Sequence, residues 1–202
     1  MCKQHDFCVE NTSDRTLKIA FAWEQCRLGD ISPIRGGYAF QSSNYEDEGI
    51  PVVRISNILT NGFVGGDFAF HNEINGDEAF VLKQGDAVIA MSGATTGKVS
   101  VLNLEKACKY YQNQRVGLFL ELGHIDYSFI TTLVSSGMFS NQLSNVLVSG
   151  AQPNVSAKGI GSFEFCIPNA IKEQGEIGSF FTKLEKLITL HQRTQLNTCV
   201  LY

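Results

Sequence analysis

Proline is scarce in this chain of 202 residues: four occur, at Pro33, Pro51, Pro153 and Pro168, and no two are adjacent. A DNA adenine methyltransferase needs an Asn/Asp-Pro-Pro-aromatic stretch to hold a flipped base, with a Gly-rich cofactor loop after a strand. Methyl transfer is therefore not carried by these residues. The six cysteines, Cys2, Cys8, Cys26, Cys108, Cys166 and Cys199, form no C-x-x-C pair and have no His at ligand spacing. A structural zinc site needs closely spaced ligand pairs, so no metal is expected, and the thiols should be reduced and mostly buried. His5, His71, His124 and His191 are equally isolated, without a local partner that would make one a base or a ligand. No apolar run approaches the roughly 20 residues that span a bilayer. Residues 1–21 are charged and interrupted by Asn11, Ser13 and Asp14, unlike a signal peptide. The expectation is a cytoplasmic protein that does not engage membranes.

Positive charge is also in short supply. Sixteen Lys and Arg stand against 20 Asp and Glu, for a net charge of −4; between Trp23 and Pro168 the count is nine against fourteen. Phosphate neutralisation supplies most non-specific DNA affinity, and free-standing DNA binders are usually basic. If this chain binds DNA, it should bind weakly alone and need a basic partner. A magnesium nuclease would need clustered acids with a nearby lysine; Asp67, Asp77, Glu78 and Asp86 sit in settings that suit turns and solvated acids better. No Ser/His/Asp or Cys/His arrangement stands out, so no catalysis and no cofactor are expected.

What is present begins with Ser92-Gly-Ala-Thr-Thr-Gly-Lys-Val-Ser-Val-Leu102, which superficially resembles a phosphate-binding loop. That loop requires four residues between its glycines and a hydroxyl after the lysine. Here three residues separate Gly93 from Gly97, and Val99 occupies the hydroxyl position. The following residues alternate like a strand rather than opening a helix. The stretch predicts a hairpin: a strand over 87–91, a Gly-rich turn and a strand over 99–102.

Other strand-like runs are Pro51 to Ser56, Arg115 to Leu120 and Ser162 to Ile167, separated by Gly, Asn and Asp. Their spacing predicts an α+β fold with a curled mixed or antiparallel sheet and flanking helices. Between Asp126 and Leu147, Phe129, Leu133, Met138 or Phe139, and Leu143 predict one or two amphipathic helices interrupted near Gly137. Three regions result: an unassigned arm over 1–22, either a short strand or a mobile segment; a compact domain over 23–168; and a long C-terminal helix over 169–202.

In that helix Ile177, Phe181, Leu184, Ile188 and His191 recur at four-three-four-three spacing, a heptad seam. About two heptads do not hold a coiled coil alone. The seam needs a partner helix, from a second copy or another protein, or it packs back on its own domain; periodicity does not choose.

Several stretches together resemble the specificity subunit of type I restriction-modification systems. They are Ala22-Trp-Glu-Gln-Cys-Arg-Leu-Gly-Asp-Ile31, Gly37-Tyr-Ala-Phe-Gln-Ser-Ser-Asn-Tyr45, Gly49-Ile-Pro-Val-Val-Arg-Ile-Ser-Asn-Ile58 and Gln84-Gly-Asp-Ala-Val-Ile-Ala-Met-Ser-Gly93. Tyr111-Gln-Asn-Gln-Arg-Val-Gly117, Gly150-Ala-Gln-Pro-Asn-Val-Ser156 and Leu184-Glu-Lys-Leu-Ile-Thr-Leu-His-Gln-Arg193 continue the series, so the resemblance covers about Trp23 to Arg193. It implies a target-recognition domain that reads one half of a split double-stranded DNA site, followed by a coiled-coil spacer helix. It also implies docked adenine methyltransferase subunits and a motor-nuclease subunit that can join them. A full subunit carries two such units, whereas this sequence has one and no internal repeat. The resemblance therefore implies a half-length form, paired with a second copy or with another specificity chain.

Paired amides suit adenine and Arg suits guanine in the major groove, because they match the base edges' donors and acceptors. Gln112, Gln114 and Arg115 supply both in one loop. Gln152 and Asn154 flank Pro153, with Lys158 beyond as a phosphate contact. Tyr38, Gln41 and Ser42 add polar and aromatic reach, and Thr95, Thr96 and Lys98 would form a hairpin tip available to DNA. Each of these also has an ordinary reading as a turn former, a solvated side chain or an internal partner. Two further functions stay open: a non-catalytic interaction protein that competes or modulates within such a complex without reading DNA, and a stand-alone hydrolase or nuclease.

Overall fold

Short β-branched and aromatic runs punctuated by glycine become strands, and the two apolar stretches with helical period become helices. The computed structural model describes residues 3–5, 23–103, 109–147 and 154–199, and for 3–5, 189 and 192–199 the backbone alone. In chain order the strands are β1 (Lys3–His5), β2 (Trp23–Arg27), β3 (Ile34–Gly36), β4 (Ile50–Val53), β5 (Ala69–His71) and β6 (Val81–Leu82). They continue with β7 (Ala87–Ala90), β8 (Val99–Val101), β9 (Tyr110–Gln112), β10 (Val116–Phe119) and β11 (Glu164–Pro168). The helices are α1 (Leu28–Ile31), α2 (Tyr127–Val134), α3 (Gly137–Leu147), α4 (Ala157–Gly161) and α5 (Ile171–Cys199).

The strands form three sheets, ordered β1-β2-β11, β3-β10-β7-β8 and β5-β4-β9-β6. All pairings are antiparallel except β4 with β9, so the arrangement is mixed, as expected. Strands β7 and β10 are buried at every residue, which is why both read as unbroken apolar runs. Within β10, Gly117 leaves no room for a side chain: a Cβ would stand 2.7 Å from Ile34 Cγ2 on β3 and 3.0 Å from Ile89 Cγ2 on β7.

The Gly-rich stretch is a hairpin, with Ala87 opposite Val101 and Ile89 opposite Val99. Gly93 and Gly97 both have φ +84°; they are there for the left-handed backbone of the turn, which other residues adopt only with strain. The helical region divides as predicted, with α2 ending at Val134 and α3 starting at Gly137. Asp126 caps α2 by accepting from the Ser128 and Phe129 N–H groups, which satisfies two donors that the first turn leaves open. Residues 3–5 pair with β2 as a strand; the rest of the arm lies outside the described residues.

Cys26, buried in β2, is disulfide-bonded, which corrects the expectation of reduced thiols at that position, while Cys166 on β11 is free and exposed. Among the described residues no helix is long and apolar enough to cross a membrane.

The largest core cluster joins α2, α3 and α4 to β11 and one face of the hairpin, and Ile177 of α5 packs against it. Two smaller clusters lie under β4, β7 and β10 and around Phe40, Phe80 and Tyr111. The heptad seam therefore divides. Its first member is held by the chain's own domain, whereas Phe181, Leu184 and Ile188 stay exposed, joined by Phe180 at 62% and Leu187 at 64% accessibility.

Candidate nucleic-acid interface

The turn that links β9 to β10 crosses from one four-stranded sheet to the other, and it organises the surface around it. It closes on itself through Val116 N–H to the Asn113 carbonyl (2.9 Å) and Arg115 N–H to Asn113 Oδ1 (3.2 Å). Tyr38, just beyond β3, joins it by donating its N–H to the Gln112 carbonyl and accepting from Gln114 N–H, both at 2.8 Å. Gly37 permits this approach, since a Cβ there would lie 2.5 Å from the Asn113 carbonyl oxygen. On the other side the Arg115 carbonyl accepts from Met91 N–H (2.9 Å), the Met91 carbonyl accepts from Val155 N–H (3.1 Å), and Ser92 bridges Asn154. Backbone hydrogen bonds thus stitch segments from four parts of the sequence into one edge. Tyr38, Gln114, Arg115 and Asn154 are all exposed along it.

Lys158, exposed on α4, lies four residues beyond Asn154. Gln41 and Ser42 are exposed at a 3₁₀ turn that follows Tyr38. Gln152 lies outside the described residues.

Gln112 has to be removed from the base-reading set. It is 0% exposed, and its amide is spent internally: Nε2 donates to the Arg35 carbonyl (2.9 Å) and the Val116 carbonyl (2.8 Å), while Oε1 accepts from the Arg35 guanidinium. A buried polar group is kept only with its partners, so Gln112 belongs to the fold under the loop and not to its surface. Burial pulls the Arg35 guanidinium below its ordinary value, with the charge of Asp86 opposing. Burial likewise raises the Asp86 carboxyl, against the hydrogen bond it accepts from Lys83 N–H.

The hairpin tip is also more committed than expected. Thr95 Oγ1 donates to the Ile55 carbonyl (2.9 Å) and Thr96 Oγ1 to the Gly93 carbonyl (2.6 Å), so both hydroxyl protons already serve the turn. Lys98 lines a cleft of about 940 Å³ with Phe63, Leu143, Leu147, Glu185 and Ile188, between the hairpin, α3 and α5.

Two features were not anticipated. Tyr38 rests on aromatic rings, with its centroid 4.9 Å from Phe40 and 4.8 Å from Phe80, and Phe40 stacks on Tyr111 at 5.6 Å. The exposed ring is therefore held from below. Arg54 lies 5.8 Å over the Tyr45 ring and donates to the Asp67 carbonyl at 3.2 Å. The rings come from separate strands and loops, and no sequence period links them.

Behind the aromatic cluster, nearly buried Asp77 accepts from the Lys109 ammonium (2.5 Å) and the Tyr111 hydroxyl (2.7 Å). The Lys109 hydrogen bond, then that of Tyr111, holds the Asp77 carboxyl below its usual range, and Asp77 in turn raises the Lys109 ammonium. Asp77 is thus a buried structural partner of Lys109 and Tyr111, not the solvated acid expected from its setting in the sequence. Among the described residues no group of three or more His, Cys, Asp or Glu side chains could hold a metal ion.

The family model for the type I restriction modification DNA specificity domain matches residues 22–198. The chain belongs to this family.

The type I specificity subunit of the MjaVIII enzyme from Methanocaldococcus jannaschii is 25% identical over 178 residues, covering 85% of this chain and 41% of that one. The specificity subunit of the EcoAI enzyme from Escherichia coli is 26% identical over 207 residues, covering 96% and 35%. The chain thus spans less than half the length of these curated relatives. Its fold is similar to the S subunit of a type I restriction-modification system from M. genitalium, with a TM-score of 0.62 at 15% identity over 89% of this chain and 43% of that one. The HsdS subunit from Thermoanaerobacter tengcongensis matches with a TM-score of 0.60 at 16% identity, over 91% and 41%.

Proposed function

We propose that this chain recognises one half of a split DNA site for a type I restriction-modification complex and supplies no chemistry of its own. The observation that carries this reading is the stitched edge that presents Tyr38, Gln114, Arg115 and Asn154 together. The Gln114 and Asn154 amides have the donor-acceptor pair that suits adenine N6 and N7, and Arg115 has the fork that suits guanine O6 and N7. Gln41 and Ser42 extend the polar surface beyond Tyr38. Lys158 meets a phosphate, which fixes register without reading sequence, and Lys98, with Thr95 and Thr96 ordering its turn, is a second phosphate contact from the hairpin. Bases are read in the major groove while the aromatic bed keeps Tyr38 still.

The net charge of −4 makes a partner part of this reading. Adenine methyltransferase subunits dock on the chain and contribute the cations that the domain lacks, and a motor-nuclease subunit joins that assembly. Pairing uses α5: Phe181, Leu184, Ile188 and His191, continuing from Ile177, form a coiled-coil seam with a second specificity chain. Two copies of this chain would carry two-fold symmetry and read an inverted repeat with a fixed gap. The test is binding of labelled duplex DNA by the purified chain and by its complex with the methyltransferase, together with light scattering. Weak binding alone and tight, salt-sensitive binding in the complex is the expected result. Tight binding by the isolated chain, or no complex, would count against it.

The exposed apolar face of α5 favours one alternative, a non-catalytic interaction protein that competes for the methyltransferase or for another specificity chain without reading DNA. Assembly with an unchanged methylation motif after combined Gln114→Ala, Arg115→Ala and Asn154→Ala would favour it.

A further inference from the structure

Helix α5 leaves the domain through an unusually close joint. Gln174 is 1% exposed and ties three elements: its Nε2 donates to the Pro168 carbonyl at the end of β11 (2.7 Å), and its Oε1 accepts from Asp126 N–H at the start of α2 (2.9 Å). One turn later Gly178 is pressed against α2. A Cβ added there would lie 2.5 Å from the Ser128 carbonyl carbon and 2.6 Å from Phe129 N, both backbone atoms, and would collide with Ser128 Oγ. At Gly175, between them, a Cβ would stand 3.0 Å from Asp126 Oδ2. Helix propensity favours Ala over Gly in the interior of a helix, so local preference does not account for these glycines. The close helix–helix approach does, and it places backbone on backbone where no side chain can flex to absorb a change.

We propose that the Gln174–Gly178 turn is the joint that fixes the angle between the recognition domain and α5, and through it the number of base pairs between the half-sites a paired assembly reads. The proposal rests on the DNA-recognition reading above and identifies Gln174 and Gly178 as positioning residues that touch no DNA. Leverage makes the effect measurable. From Gly178 to Cys199 the helix runs roughly 30 Å at 1.5 Å per residue, so a tilt of about 10° moves its far end by roughly 5 Å. That exceeds the rise of about 3.4 Å per base pair. A change that leaves the Gln114–Arg115 edge untouched would therefore alter spacing while the bases read stay the same.

The experiment uses the full chain assembled with its methyltransferase, on a duplex library that holds the half-sites constant and varies the gap. Gly178→Ala adds the collision; Gln174→Ala removes the strut without adding bulk, and serves if the first variant fails to fold. The expected result is unchanged half-site bases, with the preferred gap moved by about one base pair or more for Gly178→Ala and spread over neighbouring gaps for Gln174→Ala. A gap profile that superimposes on the parent's in a folded variant overturns the proposal, as does loss of half-site discrimination with the gap preference intact. A parent chain that directs no methylation at any gap overturns the DNA-recognition reading instead. Small-angle scattering of the purified chains then decides the joint: a changed distance distribution in either folded variant supports it, and superimposable curves refute it.

Discussion

Gln112 and Arg35 hold each other from both ends: the Arg35 guanidinium donates to Gln112 Oε1 at 3.0 and 3.3 Å, and Gln112 Nε2 donates back to the Arg35 carbonyl at 2.9 Å. This exchange locks β3 to the residues that flank the Gln114–Arg115 turn. Gln112→Ala strips a partly buried guanidinium and two carbonyls of a partner. The expected cost is about 3 kcal/mol, at the upper end for an unsatisfied buried group because one partner is charged. Urea unfolding of the variant measures it. DNA binding by the assembled complex should fall for all sequences together, without relaxing which bases are chosen.

Tyr127 makes a similar bridge, donating to the Phe119 carbonyl (2.7 Å) and accepting from Ala87 N–H (3.1 Å). Burial raises its hydroxyl above the ordinary tyrosine value, so it stays protonated and keeps donating. Tyr127→Phe leaves a strand N–H and a carbonyl unpaired and should cost about 2 kcal/mol, read from the shift in denaturation midpoint at constant slope.

The Asp77–Lys109 pair predicts a pH dependence. Asp77 titrates lower in the folded chain than in the unfolded one, so its contribution is fully present above the unfolded carboxylate value, about 3.9. That contribution is lost as pH falls through the lower folded value. Lys109 is raised, so its contribution is full below about 10.4 and is lost only as pH rises through the higher folded value. Stability measured against pH should therefore fall more gently on the acid side for Asp77→Asn than for the parent. An acid limb of unchanged steepness would contradict the assignment.

On the proposed reading edge, Arg115→Ala and Gln114→Ala should each reduce discrimination at one base position by about 1–3 kcal/mol. Lys158→Ala should instead weaken binding evenly across sequences and lower the salt slope by about one. Competition binding of the assembled complex against single-base-pair variants, repeated at several salt concentrations, separates the two behaviours.

The hairpin, the buried central strands and the break before Gly137 were legible in the sequence because local rules govern them: turn glycines, β-branched runs and helical period. Long-range pairings were not. Gln112 reads as one amide among several in a polar loop, yet its partner Arg35 lies 77 residues away, and only the crossing of two sheets makes it internal. Thr95 is similar, its hydroxyl claimed by a carbonyl 40 residues earlier. Strands β5 and β6, of three and two residues, are too short for an alternation to register. The heptad seam showed its period but not its division, because packing of Ile177 depends on α2, which the seam does not encode. Nothing local in the sequence accounts for the glycines at 175 and 178; their reason is the approach of another helix.

Methylation mapping of DNA exposed to the methyltransferase subunit with and without this chain tests the central claim most directly. The account predicts a chain-dependent motif of two short half-sites separated by a fixed gap, altered by combined Gln114→Ala, Arg115→Ala and Asn154→Ala while the complex still assembles. A motif that persists unchanged in that triple variant, or the absence of any chain-dependent motif, would contradict it.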